Sequence, residues 1–272
     1  NFFKINGLPD QKNEYWKYTN LKKFQSSKFS KPINFDYPQY FFNNSDKLKK
    51  DNYFDDIEFS TVTIINGKIV SYPKSKEVDL LSNKFKKCSN DFYNSFSIHN
   101  QDLPGNNPFL VLNTAYFTDG VYLKINKSFN NVLIKIISNS SSNKPESSYS
   151  RIYIDVEEDT QGQVILHHIG PDKKNNSYYK QDNEYYKNNV LFLNSSQNSN
   201  ISFLNIYEES SKSYSMNNII LNQNKNSNIE QSSFYLSSGF IRTNITNNLN
   251  GKGSSSLING LFLGNGSEFI DN

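Results

Sequence analysis

From Gly120 onward the chain is a string of short apolar runs. They are Val121–Ile125, Val132–Ile137, Ile152–Val156, Val164–Ile169, Val190–Leu193, Ile201–Ile206, Ile219–Leu221, Phe234–Leu236 and Leu257–Leu263. Each is strand-length, rich in Ile, Val, Phe and Tyr, and several alternate apolar with polar, as a chain with side chains on opposite faces requires. Asn, Ser, Lys and Gly fill the gaps, and these residues favour turns. No helical stripe interrupts the pattern over about 150 residues. Two architectures satisfy such a string: an antiparallel sandwich or barrel, and a parallel β-helix. Between Val121 and Leu249 there is no Asn-Gly or Asp-Gly pair to close a tight hairpin, which tips the local reading slightly towards the solenoid.

The first 119 residues have a different character. Leu81, Phe85, Cys88, Phe92 and Phe96 step by four, three, four and four, which puts them on one helical face. Cys88 on that stripe reads as a buried small hydrophobe, since no histidine sits at a supportive local spacing. Val62-Thr63-Ile64-Ile65-Asn66-Gly67-Lys68-Ile69-Val70 predicts a hairpin, with Asn-Gly supplying a type I′ turn. A short helix is expected from about Asn107 to Phe117, ending near Gly120.

Composition narrows the class. The 272 residues can bury a substantial core, and 35% hydrophobic with 15% aromatic content argues against a disordered tail. Lys and Arg number 29 against 26 Asp and Glu, interspersed along the chain for a net charge of +3, so there is no basic field for nucleic acid. One cysteine excludes an intrachain disulfide framework and fits a reducing compartment. No apolar run approaches the roughly 20 residues that span a bilayer. The sequence neither begins with Met nor shows a clear end after Asp271-Asn272, and it reads as a fragment.

Enzyme signatures are scarce. Gly251-Lys252-Gly253-Ser254 lacks the length of a phosphate loop and a following helix, and reads as a tight turn between strands. There is no Gly-x-Ser-x-Gly and no Cys-x-x-Cys. The histidines are His99, His167 and His168; the last two, adjacent in a strand, point to opposite faces and cannot share a metal without a bulge. His167, His168 and Glu208 are the metal candidates. Tyr207-Glu208-Glu209-Ser210 offers a carboxylate pair, with a solvated turn as its plainer reading. Trp16, the only tryptophan, is expected to dock with Tyr18 onto the body of the protein.

Three segments carry a family resemblance. Glu14-Tyr15-Trp16-Lys17-Tyr18-Thr19-Asn20-Leu21, Leu112-Asn113-Thr114-Ala115-Tyr116-Phe117-Thr118-Asp119-Gly120 and Leu257-Ile258-Asn259-Gly260-Leu261-Phe262-Leu263 resemble, in order and spacing, segments of the SufB/SufD family. These proteins are scaffolds of SUF iron–sulfur cluster assembly, and the tryptophan segment is similar to the SufD branch. The resemblance implies a mainly β fold, a right-handed parallel β-helix over 120–272 preceded by a mixed, partly helical region over 1–119. It implies a non-catalytic subunit in the cytoplasm or an organelle stroma. Its partners would be a SufB-like subunit and a SufC-like ABC-type ATPase, with no nucleic acid and no membrane. No cofactor would be held stably; an iron–sulfur cluster would form transiently at the subunit interface. Leu257, Leu261 and Leu263 are the expected partner contact. The family's later His-containing strands and C-terminal helical region have no counterpart in these residues, so no catalytic residue carries over. A β-solenoid polysaccharide-active enzyme and a surface adhesin are the rival readings; the scarcity of Arg after residue 120, with Arg151 and Arg242 far apart, speaks against the first.

Overall fold

The computed structural model describes residues 7–27, 29, 58–87, 107–138, 145–170, 184–264 and 266–272. A 3-10 turn, Glu14–Trp16, and a short helix α1, Lys22–Ser26, come first. Strands β1, Ser60–Ile65, β2, Lys68–Ser71, and β3, Val78–Leu80, follow, then helices α2, Leu81–Lys87, and α3, Pro108–Tyr116. The remaining elements are strands: β4, Val121–Ile125; β5, Asn131–Ile137; β6, Glu146–Val156; β7, Gln161–Ile169; β8, Tyr185–Ser195; β9, Asn200–Glu208; β10, Ser213–Gln223; β11, Asn228–Ser237; β12, Phe240–Leu249; β13, Ser255–Phe262; and β14, Phe269–Asp271.

Two seven-stranded sheets result, in the orders β13-β11-β9-β7-β5-β1-β2 and β14-β12-β10-β8-β6-β4-β3. From β4 on, successive strands alternate between the sheets, and every ladder between those strands is parallel. The chain therefore coils, laying one strand in each sheet per turn, as the β-helix expectation requires. The antiparallel pairings, β1 with β2 and β3 with β4, belong to the first coil. Because β1 also pairs in parallel with β5, the strands before residue 120 enter the same two sheets as those after it.

The turn at Asn66-Gly67 has positive φ at both residues, 46° and 80°, as a type I′ hairpin needs. The corners of the coil use another device. Asp159, Asn198, Asn226 and Gly253 occupy one corner on successive turns, all left-handed, with φ from 54° to 78°. Their backbones connect: Asp159 N–H donates to Gln197 O, Asn198 N–H to Lys225 O, and Asn226 N–H to Lys252 O, at 3.0–3.1 Å. The Asn198 amide donates to Asp159 at 2.9 Å and the Asn226 amide to Asn198 at 3.2 Å. A Cβ on Gly253 would meet Asn226 Oδ1 at 2.4 Å, so the Gly-Lys-Gly-Ser segment is the tight turn its composition suggested.

Between the sheets lies an apolar core that includes Val121, Leu123, Ile134, Ile152, Ile154, Val156, Leu191, Leu193, Phe203 and Leu221. Ile152, Ile154 and Val156 face inward by alternation, while Arg151 and Tyr153 face out yet are also buried. Helix α3 covers that outer face. Asn107 caps it by accepting from Phe109 N at 3.1 Å, and Pro108 takes the first helical position. Asn113 donates to the Ser150 and Asn188 carbonyls at 3.0 and 2.9 Å, and accepts from Arg151 Nε at 3.0 Å. Asp119 accepts from the Ser82 amide and hydroxyl, tying down the start of α2. A Cβ on Gly120 would overlap Arg151 O at 2.4 Å. The Leu112–Gly120 segment thus clamps the helices to the coil. Leu81 and Phe85 of the predicted stripe do face the body; Cys88, Phe92 and Phe96 lie outside the described residues. Trp16, 2% exposed, docks on Phe109 with ring centroids 5.3 Å apart, whereas Tyr18 stays 77% exposed.

Candidate functional site: a charged cluster in the coil and a half-exposed strand

Successive strands of one sheet carry a His-His pair and a Glu-Glu pair, and the wall of the coil sorts them. On β7, His168 stands level with Tyr207 of β9, and Ile169 with Glu208. Alternation sends His167 outward and His168 inward. Outside, His167 Nε2 lies 2.7 Å from Glu208 Oε2. Inside, His168 is fully buried; its ring stacks on Tyr207 with centroids 4.3 Å apart and planes within 9°. Its Nδ1 is 2.8 Å from Lys187 Nζ, reaching across from the other sheet. Lysine only donates, so Nδ1 accepts and the ring proton sits on Nε2.

Lys187 also pairs with Glu209, and both side chains are buried. Tyr185 donates its hydroxyl to Glu209 Oε2 at 2.6 Å and accepts from the Ser210 amide at 3.2 Å. Burial pushes the Lys187 ammonium well below the usual lysine range. Burial, then the charges of Lys187 and His167, push His168 well below 6.5. Two charges without water are tolerable here because each has a partner. Polar neighbours extend the cluster along the interior: Ser150 donates to Asn189, Asn189 to Asn217 at 2.8 Å, and Asn217 to Ser215 at 3.0 Å. An aromatic column continues from His168 through Tyr207 and Tyr235 to Phe262, the last two steps spaced 4.8 Å.

The structure brings together His167 and Glu208, and places His168 on the other side of the wall. Among the described residues no group of three His, Cys, Asp or Glu side chains could hold a metal. The solvated-turn reading of Glu208-Glu209 needs correcting, because Glu209 is 4% exposed and ion-paired. Sequence reasoning missed Lys187 and Tyr185, which stand in Tyr185-Tyr186-Lys187-Asn188-Asn189 with no apolar alternation to mark a strand. The signal was parallel stacking: Lys187 stands level with Ser148 and Ser215, small residues that leave room for its chain.

The second feature is β13, which pairs with β11 alone among the described residues. Leu257, Ile258, Leu261, Phe262 and Leu263 are 45–52% exposed, on both faces of the strand. Leu249 at the end of β12 is likewise 54% exposed, whereas the core residues of the earlier strands are covered.

A family model described as SUF system FeS cluster assembly, SufBD core domain, matches residues 136–272, from the end of β5 through β14. A comparison with curated proteins gives no match. The matched half is the parallel coil that holds both the charged cluster and the exposed strand, and the chain belongs to the SufBD core family of the SUF iron–sulfur cluster assembly system.

Proposed function

We propose that the chain is a SufD-type scaffold subunit, without catalysis of its own, in which residues 120–272 form the core and residues 1–119 brace it. The observation that carries this reading is the two-sheet parallel coil, matched over residues 136–272 by the SufBD core model. A SufB-like subunit pairs along β13 through Leu257, Leu261 and Leu263, and a SufC-like ABC-type ATPase works on the pair. The iron–sulfur cluster is cargo, formed at the interface and passed on. The Trp16 segment supports the SufD branch, because its tryptophan and threonine both have defined contacts in the fold. No described helix is long and apolar enough to cross a membrane, and the cytosol or an organelle stroma is the expected setting.

The polysaccharide-enzyme alternative needs arginine and carboxylate free on one solenoid face. Both candidate arginines are spent on structure: Arg151 on Asn113 and Thr114, and Arg242 on Asp271. The test is co-purification of the full-length protein with SufB- and SufC-like subunits. Leu261→Asp and Leu263→Asp are expected to abolish the complex. Undiminished complex formation by both variants, or ATP hydrolysis by this subunit alone, would refute the reading.

A further inference from the structure

The interior of the coil changes character from one turn to the next. Along one sheet the inward rows read Ile134, Leu166, Asn205 and Ser233 and, two residues on, Ile136, His168, Tyr207 and Tyr235. Hydrocarbon gives way to amide, hydroxyl and phenol within the same columns. Gln231 joins them from β11, and the facing sheet supplies Asn217 and, level with it on β12, Thr243. Asn205, Tyr207, Gln231, Ser233, Tyr235 and Thr243 are each at most 1% exposed.

Hydrogen bonds within this group occupy the amide donors and strand the acceptors. Gln231 Nε2 donates to Ser233 Oγ at 2.6 Å, and Asn205 Nδ2 donates to the same oxygen at 3.5 Å. Gln231 Oε1 and Asn205 Oδ1 then have no partner among the described residues, and neither do the Tyr207, Tyr235 and Thr243 hydroxyls. Burial pushes both phenols up, and the Thr243 hydroxyl, reaching towards them from the other sheet, draws both back. Three hydroxyls thus converge without pairing. The two phenol rings stand level, with planes within 1° and centroids 4.8 Å apart. Equivalent atoms of rings stacked in this way are separated by about the same distance, whereas O–H···O bonds run to about 3.0 Å. The phenols cannot bond to each other, but one oxygen between them reaches both.

We propose that this level of the coil is a built hydration site, in which about two ordered waters join the sheets by bridging Tyr207, Tyr235, Asn205 and Gln231 on one side to Thr243 on the other. Sealed polar groups are costly when dry and ordinary when they share a water that makes about three hydrogen bonds. Every group facing the site is neutral, and the set mixes two acceptors with three hydroxyls, so it fits a small neutral molecule that both donates and accepts. One water spans the phenols and Thr243. The other donates to the two amide oxygens, which already meet at Ser233. The site belongs to the coil itself and is independent of the partner reading given above.

Crystallographic density tests the site directly. Solvent peaks within hydrogen-bond distance of the Tyr207, Tyr235 and Thr243 hydroxyls are expected; direct bonds among these groups, with no peak between them, overturn the proposal. In solution, magnetic relaxation dispersion of water oxygen counts the waters that the chain holds for longer than it tumbles. Gln231→Met combined with Thr243→Val keeps the volume and removes the polar atoms, and should lose at least one such water. An unchanged count places the held waters elsewhere and overturns the site. Tyr207→Phe gives a readout that survives if the double variant does not fold. Removing a hydroxyl that water satisfies should lower the urea midpoint, because the water loses a partner. A midpoint unchanged or raised means that the hydroxyl was dry, and the proposal falls.

Discussion

The buried pair inside the coil makes the sharpest demand on the energetics. Lys187 and Glu209 are 1% and 0% exposed as side chains, so water screens neither. Lys187→Met keeps the length and volume of the side chain but leaves Glu209 with the Tyr185 hydroxyl and no cation. It also removes the donor to His168 Nδ1. Stranding one partner of a buried pair costs about 3–5 kcal/mol. Against a total stability on the order of 5–15 kcal/mol, such a loss is large. Glu209→Gln strands Lys187 instead and falls in the same range, less whatever the lysine recovers by giving up its proton. The double variant strands neither charge, so its loss should fall below the sum of the singles by about 3 kcal/mol or more. Urea unfolding, followed by far-UV circular dichroism at matched m-values, reads all three. Single variants within about 1 kcal/mol of wild type, the range of exposed pairs, would show that the cluster is not the sealed charge pair described above. So would a double variant whose loss is the sum of the singles.

Acid should weaken the fold through His168. Its folded pKa lies well below the unfolded 6.5, so the unfolded chain binds the extra proton, and stability falls as pH drops below about 6.5. The slope approaches about 1.4 kcal/mol per pH unit for that one group, and His168→Phe, which keeps the stack on Tyr207, should flatten it in urea midpoints measured from pH 7.5 to 5.5. Gly67→Ala places a Cβ 2.7 Å from Tyr149 O at φ 80°, and a loss of about 1–3 kcal/mol is expected in thermal unfolding. Leu261→Asp, at a site 46% exposed, should change the isolated chain's stability by no more than about 0.5 kcal/mol while removing the partner complex; an unstable isolated variant would mean that the site is already covered.

Where the interior is apolar, the strands were legible from alternation, and the runs from Val121 onward fall within strands except for Leu263, one residue past β13. They were too short because the strands extend into a polar interior. β6 begins at Glu146, β8 at Tyr185 and β10 at Ser213, well ahead of Ile152, Val190 and Ile219. A parallel coil can bury Ser and Asn because each meets a polar partner on the next strand of its sheet, at separations of 39 and 28 residues in the interior ladder Ser150–Asn189–Asn217. Hydrogen bonding between rungs replaces the hydrophobic signal, and a one-dimensional pattern search does not see it. Strand β12 was missed for this reason: Ile241 and Thr243 face inward, while Asn244 and Asn248 build the outer ladders.

The charged cluster was illegible for a related reason. His168, Lys187 and Glu209 come from three successive strand regions, and nothing local in any of them marks a charge as inward. What places them is register. His168 stands level with Tyr207, two residues before Glu209, and Lys187 enters from the opposite sheet at the same height. Alternation already set His167 and His168 on opposite faces, and it divides Glu208 from Glu209 in the same way. The coil turns that division into an outside and an inside. The result is two separate pairs, one on each side of a single sheet: His167 with Glu208 outside and Lys187 with Glu209 inside.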